Sequence, residues 1–365
     1  MITKNPIRRA EKEDSLDLCK ILTETPMEGS VCLTQDRRPD YFHGAAVQCE
    51  QPEIYVSKQN TTSKLAGVFS AGSRRVFVNG QIQKLRYLSD LRITPGQRSG
   101  LMLARGFRFL RNEILENGEF AQTLVISENA KALDILTSHR RGLPKYFPNG
   151  EYDFYLISLR QFHFGSSQLQ VRKASTRDIP AMQAFFDREA PHKQFFPVYD
   201  FTELSQNNYY RDAKLEDFFL AFDGEELIGL LGAWDQGNYK KTHVRGYGGH
   251  LRWLRPWLNA VSRLQGGIGL PAPGTVQRTL YLHCAVCRDN DPSILTALLR
   301  AVQCGFAGQD YHHAALGLDR HDPLREALAG CRTMNFAGRH FLVSFGADPR
   351  PNLDDKVFYF EAARI

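Results

Sequence analysis

The chain has 365 residues, 42% of them hydrophobic and 24% charged, with a formal net charge of +6. That length accommodates two domains or one large one, with an ordinary globular balance. The small positive excess without a Lys/Arg block argues against a nucleic-acid protein, no apolar run approaches the ~20 residues of a membrane span, and seven scattered cysteines do not make a disulfide framework.

The polar opening carries no secretory pattern, so the expectation is a reducing, cytoplasmic setting. Ile7 to Asp14 (IRRAEKED) reads as a short strand entering a loop whose Asp14 caps a helix, with Leu16, Leu18, Ile21 and Leu22 as its apolar periodic residues. Glu53 to Ser57 and Lys64 to Ser73 read as strands around a polar turn, and Arg74 to Asn79 continues them into the Asn79-Gly80 hairpin. Gln83 to Ile93 is the next strand. Leu101 to Leu115 is a helix with Leu103, Phe107, Leu110 and Ile114 on one stripe. Thr123 to Ile126 (strand), Asn129 to Leu136 (helix) and Phe154 to Leu159 (strand) close the first half.

Val171 to Asp178 (VRKASTRD) repeats the opening 164 residues downstream and is again followed by an apolar-periodic helix, with Ile179, Met182, Phe185 and Phe186. The order then recurs: strands Phe218 to Phe222 and Glu226 to Trp234, a long central strand Thr279 to Cys287, a helix Pro292 to Cys304, a strand Ala314 to Leu318, a helix Pro323 to Leu328, and strands Phe341 to Phe345 and Val357 to Glu361. Gln161 to Gln170 reads as a linker, with the boundary near Ser166. Two α/β domains with mixed sheets follow, residues 1–162 and 168–365. An insertion, 239–276, interrupts the second. Its Trp/Leu-rich helix LRWLRPWLNAVSRL is expected to pack on a domain, ahead of the readings as a dimer or membrane-surface element.

Leu91 to Phe107 (LRITPGQRSGLMLARGF) joins strand to helix through a glycine-containing turn. Free N–H groups at such a helix start, with the helix dipole, make an anion site. Gly100 permits close approach and Arg98 adds a cation. Neither GxGxxG nor GxxxxGK[ST] is present, so a phosphate-bearing ligand outside those two classes is indicated.

Gln97-Arg98-Ser99-Gly100-Leu101-Met102 resembles the acyl-CoA motif of the GNAT acyltransferase superfamily, Gln/Arg-x-x-Gly-x-Gly/Ala, departing from it at Met102. The preceding central strand, the opening IRRAEKED and the segment SENAKAL resemble the family as well. The resemblance implies a tandem pair of GNAT-like domains. Gln97, Arg98, Ser99, Gly100, Leu101 and Met102 would bind the cofactor diphosphate, the backbone of Leu91, Arg92 and Ile93 the pantetheine arm, and Asn129 the same arm further on. It implies acetyl transfer from acetyl-CoA to a primary amine of a small molecule or peptide by direct attack, and is compatible with a homodimer; composition and cysteine spacing lead to no expectation of a metal, nucleic acid or membrane. Asp90, Tyr87 and His139 are the catalytic candidates, with Glu128 as a further acid-base candidate.

Bland readings stand beside these. Asp90 reads equally as a structural carboxylate salt-bridged to Arg86 or Arg92, Asn129 as a helix cap, and Tyr87 as a core aromatic. A regular strand points Tyr87 and Asp90 to opposite faces. Cys284-x-x-Cys287 lies within a strand and reads as two core thiols. The second half carries Asn290 and Ser293 where the first has Gln97 and Gly100, so it is not expected to bind CoA in the same way. An alternative function is a non-catalytic acyl-CoA-sensing or scaffolding protein built from decayed domains.

Overall fold

The computed structural model describes residues 7–59, 64–97, 100–116, 118–138, 140, 142–159, 169–264 and 267–365. The two repeated segments fold alike. Arg8 donates to both carboxylate oxygens of Asp14, at 2.7 and 2.8 Å, and Asp14 accepts the Glu11 N–H. Arg172 grips Asp178 at 2.8 and 2.6 Å, and Asp178 accepts the Ser175 N–H. In each case the carboxylate satisfies a donor that the turn would otherwise leave unpaired, and so fixes the entry into the following helix.

The first half runs β1 (Arg8–Arg9), α1 (Ser15–Glu24), β2 (Val31–Asp36), α2 (Tyr41–Gln48), β3 (Ile54–Lys58), β4 (Leu65–Ser70), β5 (Ser73–Val78), β6 (Gln81–Tyr87), β7 (Ser89–Ile93), α3 (Gly100–Glu113), β8 (Ala121–Ile126), α4 (Ala130–Leu136) and β9 (Lys145–Ile157). The second runs β10 (Gln170–Lys173), α5 (Ile179–Glu189), β11 (Phe218–Asp223), β12 (Glu226–Asp235), β13 (Lys241–Tyr247), α6 (Leu251–Leu264), β14 (Val276–Gln277), β15 (Thr279–Cys287), α7 (Pro292–Phe306), β16 (His313–Asp319) and β17 (Thr333–Ser344).

The halves do not keep separate sheets. One ten-stranded sheet runs β10-β11-β12-β15-β16-β9-β17-β8-β6-β5. Strand β9, from the first half, lies between β16 and β17. Strand β17, from the second, pairs with β8 of the first. The closing strand of each half therefore sits against the other half, which the order of elements along the sequence does not reveal. The large core spans this sheet. Helix α7 buries Ile294, Leu295, Leu298, Leu299, Val302 and Phe306 against it, each such side chain stabilising the fold by about 1.5–3 kcal/mol.

Several expectations change in detail. Gln83 to Ile93 is not one strand but two, broken at Leu88. Residues 357–361 form a single bridge, Gln194 to Phe358, instead of a strand, and meet β15 through the side chains of Tyr359 and Glu361 rather than through a backbone ladder. Residues 323–328 form a 3-10 helix. The insertion is shared: β13 pairs with β2 of the first half, Thr242 opposite Gln35. Its helix α6 does not pack its tryptophans, since Trp253 and Trp257 are exposed.

Candidate active site

The break at Leu88 builds the site. Strands β6 and β8 run parallel and pair only at Arg86–Ala121 and Tyr87–Gln122. Leu88 then donates its N–H to Gln122 at 2.8 Å, and its carbonyl accepts from Thr123 Oγ1 at 2.8 Å. Beyond that clasp the chain leaves β8. Strand β7 pairs with β4 instead and forms the edge of a four-stranded sheet, β1-β3-β4-β7. Asp90, at φ 52°, carries the irregularity: the register against β4 slips between Val68 and Ser70. A non-glycine residue there is strained, a common mark of functional sites. Gly67 allows the close pairing, because a Cβ there would stand 2.9 Å from the Arg92 carbonyl oxygen.

Between the parted strands lies a cavity of about 250 Å³. Leu88 to Ile93 line one side and Thr123 to Ile126 the other, with α3 contributing Met102, Leu103, Gly106, Phe107 and Leu110. Most of these walls are apolar. The unpaired edge of a β-strand offers main-chain donors and acceptors to an extended ligand, as an added strand would.

The sequence candidates fall out as follows. Leu91, Arg92, Ile93 and Met102 line the cavity. Leu101 opens the first turn of α3 and is exposed. Gln97 donates its N–H to Thr94 in the turn before α3. Gly100 is the first residue of α3, whereas Arg98, Ser99 and His139 lie outside the described residues. Asn129 does two things: its Oδ1 accepts the Ala132 N–H at 3.2 Å, capping α4, and the residue lines the cavity.

Asp90 and Tyr87 both line the cavity, because the irregular backbone at Asp90 cancels the alternation of a regular strand. The partner of Asp90 is neither Arg86 nor Arg92. Arg86 pairs with Glu53 at 3.0 Å. Asp90 accepts from Arg37 Nη1 at 2.6 Å and from Tyr41 Oη at 2.8 Å, with both charged side chains almost fully buried. Burial by itself would raise the Asp90 carboxyl, but the Arg37 and Arg92 charges and the Tyr41 and Arg37 hydrogen bonds hold it below the usual range. Tyr87 is buried with the Arg74 guanidinium 4.8 Å above its ring, and burial drives its phenol well above the ordinary value. Glu128 is occupied elsewhere, accepting the Ser30 N–H.

Sequence reasoning missed two contributors and left a third, Tyr146, without a role. Arg37 and Tyr41 come from the β2–α2 region, for which no element was expected. Tyr146, at the start of β9, lines the cavity under α3. Its phenol is also kept protonated by burial.

The second half contains the same fork with a different filling. Strands β15 and β16 pair only from Thr279 to Tyr281. Beyond them the protein inserts its own residues 357–364. Tyr359 Oη accepts the Ala285 N–H at 3.3 Å, and Glu361 accepts the N–H of Cys284 at 2.8 Å. Cys284 has φ 52°, the same distortion as Asp90. Arg364, fully buried, donates to Glu361 at 2.7 Å and to the carbonyls of Val47 and Tyr209. Cys284 and Cys287 are both buried free thiols, and no cluster of three or more potential metal ligands exists among the described residues.

No protein-family model matches the sequence, and no curated protein matches it. Solved structures do. The chain is similar to Saccharomyces cerevisiae N-myristoyltransferase with bound myristoyl-CoA, at 10% identity and TM-score 0.57, over 96% of this chain and 85% of that one. It is similar to a GCN5-related N-acetyltransferase from Anabaena variabilis, at 10% identity and TM-score 0.50, over 92% and 72%. It is also similar to a probable N-acyltransferase from Enterococcus faecalis, at 8% identity and TM-score 0.50, over 93% and 72%. Identities this low establish the fold: a mixed α/β GNAT-type architecture carried through both halves of the chain.

Proposed function

From that fold and its one open fork, we propose that the protein transfers an acyl group from an acyl-CoA to a primary amine. The observation that carries this reading is the cavity between β7 and β8, with an unpaired strand edge along one wall and the start of α3 beside it. The pantetheine arm lies along Leu91 to Ile93, and the diphosphate rests on the turn from Gln97 to Met102. Asn129 meets the arm at the far wall. Residues 1–162 supply most of the donor site, and residues 168–365 support it and add Ile365 to the cavity wall.

A neutral amine of a small molecule or peptide attacks the thioester carbonyl. The new C–N bond forms as the C–S bond breaks, the nitrogen loses a proton and the departing sulfur gains one. Backbone N–H groups at the distorted strand polarise the carbonyl. Tyr87, held protonated, is the donor to sulfur. Asp90, held ionised, is the acceptor, and its tight pairing to Arg37 makes it a weak one, so water carries the proton between them. His139 enters this reading from its place in the sequence.

Acetyl-CoA is the smallest donor of this class. A longer aliphatic chain is favoured by a specific observation: beneath α3 the cavity is walled by Leu103, Phe107, Leu110, Val125 and Leu136, surfaces that gain by covering methylenes. The test is a thermal shift with CoA and acyl-CoAs of increasing chain length, followed by release of free thiol with a panel of amines. Binding raises the melting temperature by mass action. No shift at millimolar ligand would return the protein to the alternative, a scaffold of decayed domains.

A further inference from the structure

Helix α6 is turned inside out. Trp253, Trp257, Ala260 and Leu264 recur at the spacing of one helical face. That face meets solvent: Trp253 is 74% exposed, Trp257 64% and Leu264 88%, with Leu254 exposed at its flank. The other side of the helix, with Arg255, Leu258 and Asn259 half-buried, is held by the loop that follows. Arg255 Nε donates to the Leu270 carbonyl at 3.0 Å, and Asn259 both donates to that carbonyl and accepts the Leu270 N–H, at 2.8 and 2.6 Å. These bonds fix the orientation of the helix, so its apolar stripe is held outward. Exposed patches of this kind on a folded protein mark an interaction surface.

Charge identifies the occupant. The insertion 239–276 contains six Lys or Arg, of which Lys240 is buried, and no Asp or Glu. The whole chain has 46 basic and 40 acidic residues, so outside the insertion the two signs balance at 40 each and the entire excess is concentrated here. Arg252 lies beside the stripe with its guanidinium 4.7 Å over the Trp253 ring. Tryptophan in an apolar stripe, bordered by arginine and free of acid, is the composition of a helix that lies in the interface of a bilayer with anionic headgroups.

We propose that α6 docks the protein onto membrane surfaces containing anionic lipid, with Trp253 and Trp257 entering the interfacial layer. This reverses the expectation of no membrane contact drawn from composition, and it stands independently of the chemistry assigned to the cavity. Strand β13, which leads into α6, sets Thr242 opposite Gln35, a cavity-lining residue, so the docking helix and the cavity are joined through one strand pair.

The experiment is flotation of the full chain with phosphatidylcholine vesicles and with vesicles that also contain phosphatidylglycerol, alongside sedimentation velocity without lipid. The expected result is co-flotation with the anionic vesicles, a blue shift of tryptophan emission on binding, and weakening by salt. Trp253→Ala/Trp257→Ala is expected to lower the partition coefficient ~10-fold or more, and Arg252→Glu to lower it less. Both tryptophans are exposed, so unchanged circular dichroism will show that the double variant still folds. No flotation at low salt, flotation unaffected by the double variant, or a lipid-free dimer that the double variant dissociates would overturn the proposal; the last would assign the stripe to a second copy of the chain.

Discussion

Arg37 donates to Asp90 across 2.6 Å inside the first half, and neither side chain has appreciable access to water. The pair ties the β2–α2 loop to the distorted strand that forms the wall of the cavity. Gly44 packs against the Arg37 side chain so closely that a Cβ there would meet Arg37 Cδ at 2.8 Å. Stability and site geometry are therefore joined at one ion pair.

Asp90→Asn leaves Arg37 buried without a counter-charge. The expected cost is about 3–5 kcal/mol of unfolding free energy, read as a lower urea midpoint. The Tyr41 hydroxyl keeps a partner in this variant. A change of less than about 1 kcal/mol would mean that water reaches the pair and that its burial is overstated.

Gly106 sits on α3 facing the cavity, and a Cβ placed there meets no atom within 4 Å. Gly106→Leu starts its side chain in open space and replaces a residue that costs a helix about 0.5–1 kcal/mol relative to Ala. The melting temperature is expected to hold or rise. If long acyl chains use this space, kcat/KM for them falls by roughly tenfold or more while that for acetyl-CoA is retained. Equal loss across all chain lengths would show that Gly106 borders the pantetheine arm instead.

Three buried histidines make the fold acid-sensitive. Burial pushes His283 and His313 down to about 4 and His340 to about 3. Each stays neutral in the folded state while the unfolded chain takes up a proton below pH 6.5, so stability is full above that pH and falls as the solution is acidified toward 4. His340 packs among Phe195, Phe358 and Phe360. His340→Phe is expected to flatten the decline between pH 6.5 and 4, measured by urea unfolding at several pH values; an unchanged slope would remove His340 from the linkage.

Lys240 acts in the same direction, in a window at higher pH. Its ammonium is buried over the Tyr281 ring, 4.3 Å from the centroid, and burial together with the Arg37 charge brings it down to about 7. Between pH 7 and 10.5 the unfolded chain holds a proton that the folded one has released, so stability rises with pH across that range. Lys240→Met is expected to stabilise the protein at pH 6 and to change it little at pH 10.5. A loss of stability at pH 6 would show that the ammonium is better solvated than its position indicates.

Glu361 and Arg364 close the second fork. Glu361→Gln keeps an acceptor for the Cys284 N–H but strands the Arg364 guanidinium, and a loss of about 3–5 kcal/mol is expected in urea unfolding. If instead the variant unfolds normally and gains a second CoA-binding event in calorimetry, the plug is a displaceable occupant of that fork.

Much of this was written along the chain. The Arg-to-Asp spacing in IRRAEKED and VRKASTRD is local, so the two matching turns could be read from residues six apart, and they reappear as matching ion pairs. The strand, glycine turn and amphipathic helix from Leu91 to Phe107 are local too. The paired identity of Asp90 was not legible, because its partner lies 53 positions away in a segment with no strong pattern. Nor was the orientation of α6: periodicity gives an apolar stripe but not the direction it faces.

Sequence alone determined the repeated Arg–Asp turns, many of the strands and helices and the amphipathic helix α3, all set by contacts within a few residues where propensity and capping decide. Tertiary structure decided which fork is open. The two central strands carry the same backbone distortion, at Asp90 and Cys284, yet one is left with an empty wall and the other is filled by Tyr359 and Glu361. That difference rests on contacts between residues about 75 positions apart, whose free energy depends on burial and charge pairing that exist only once the shared sheet has formed.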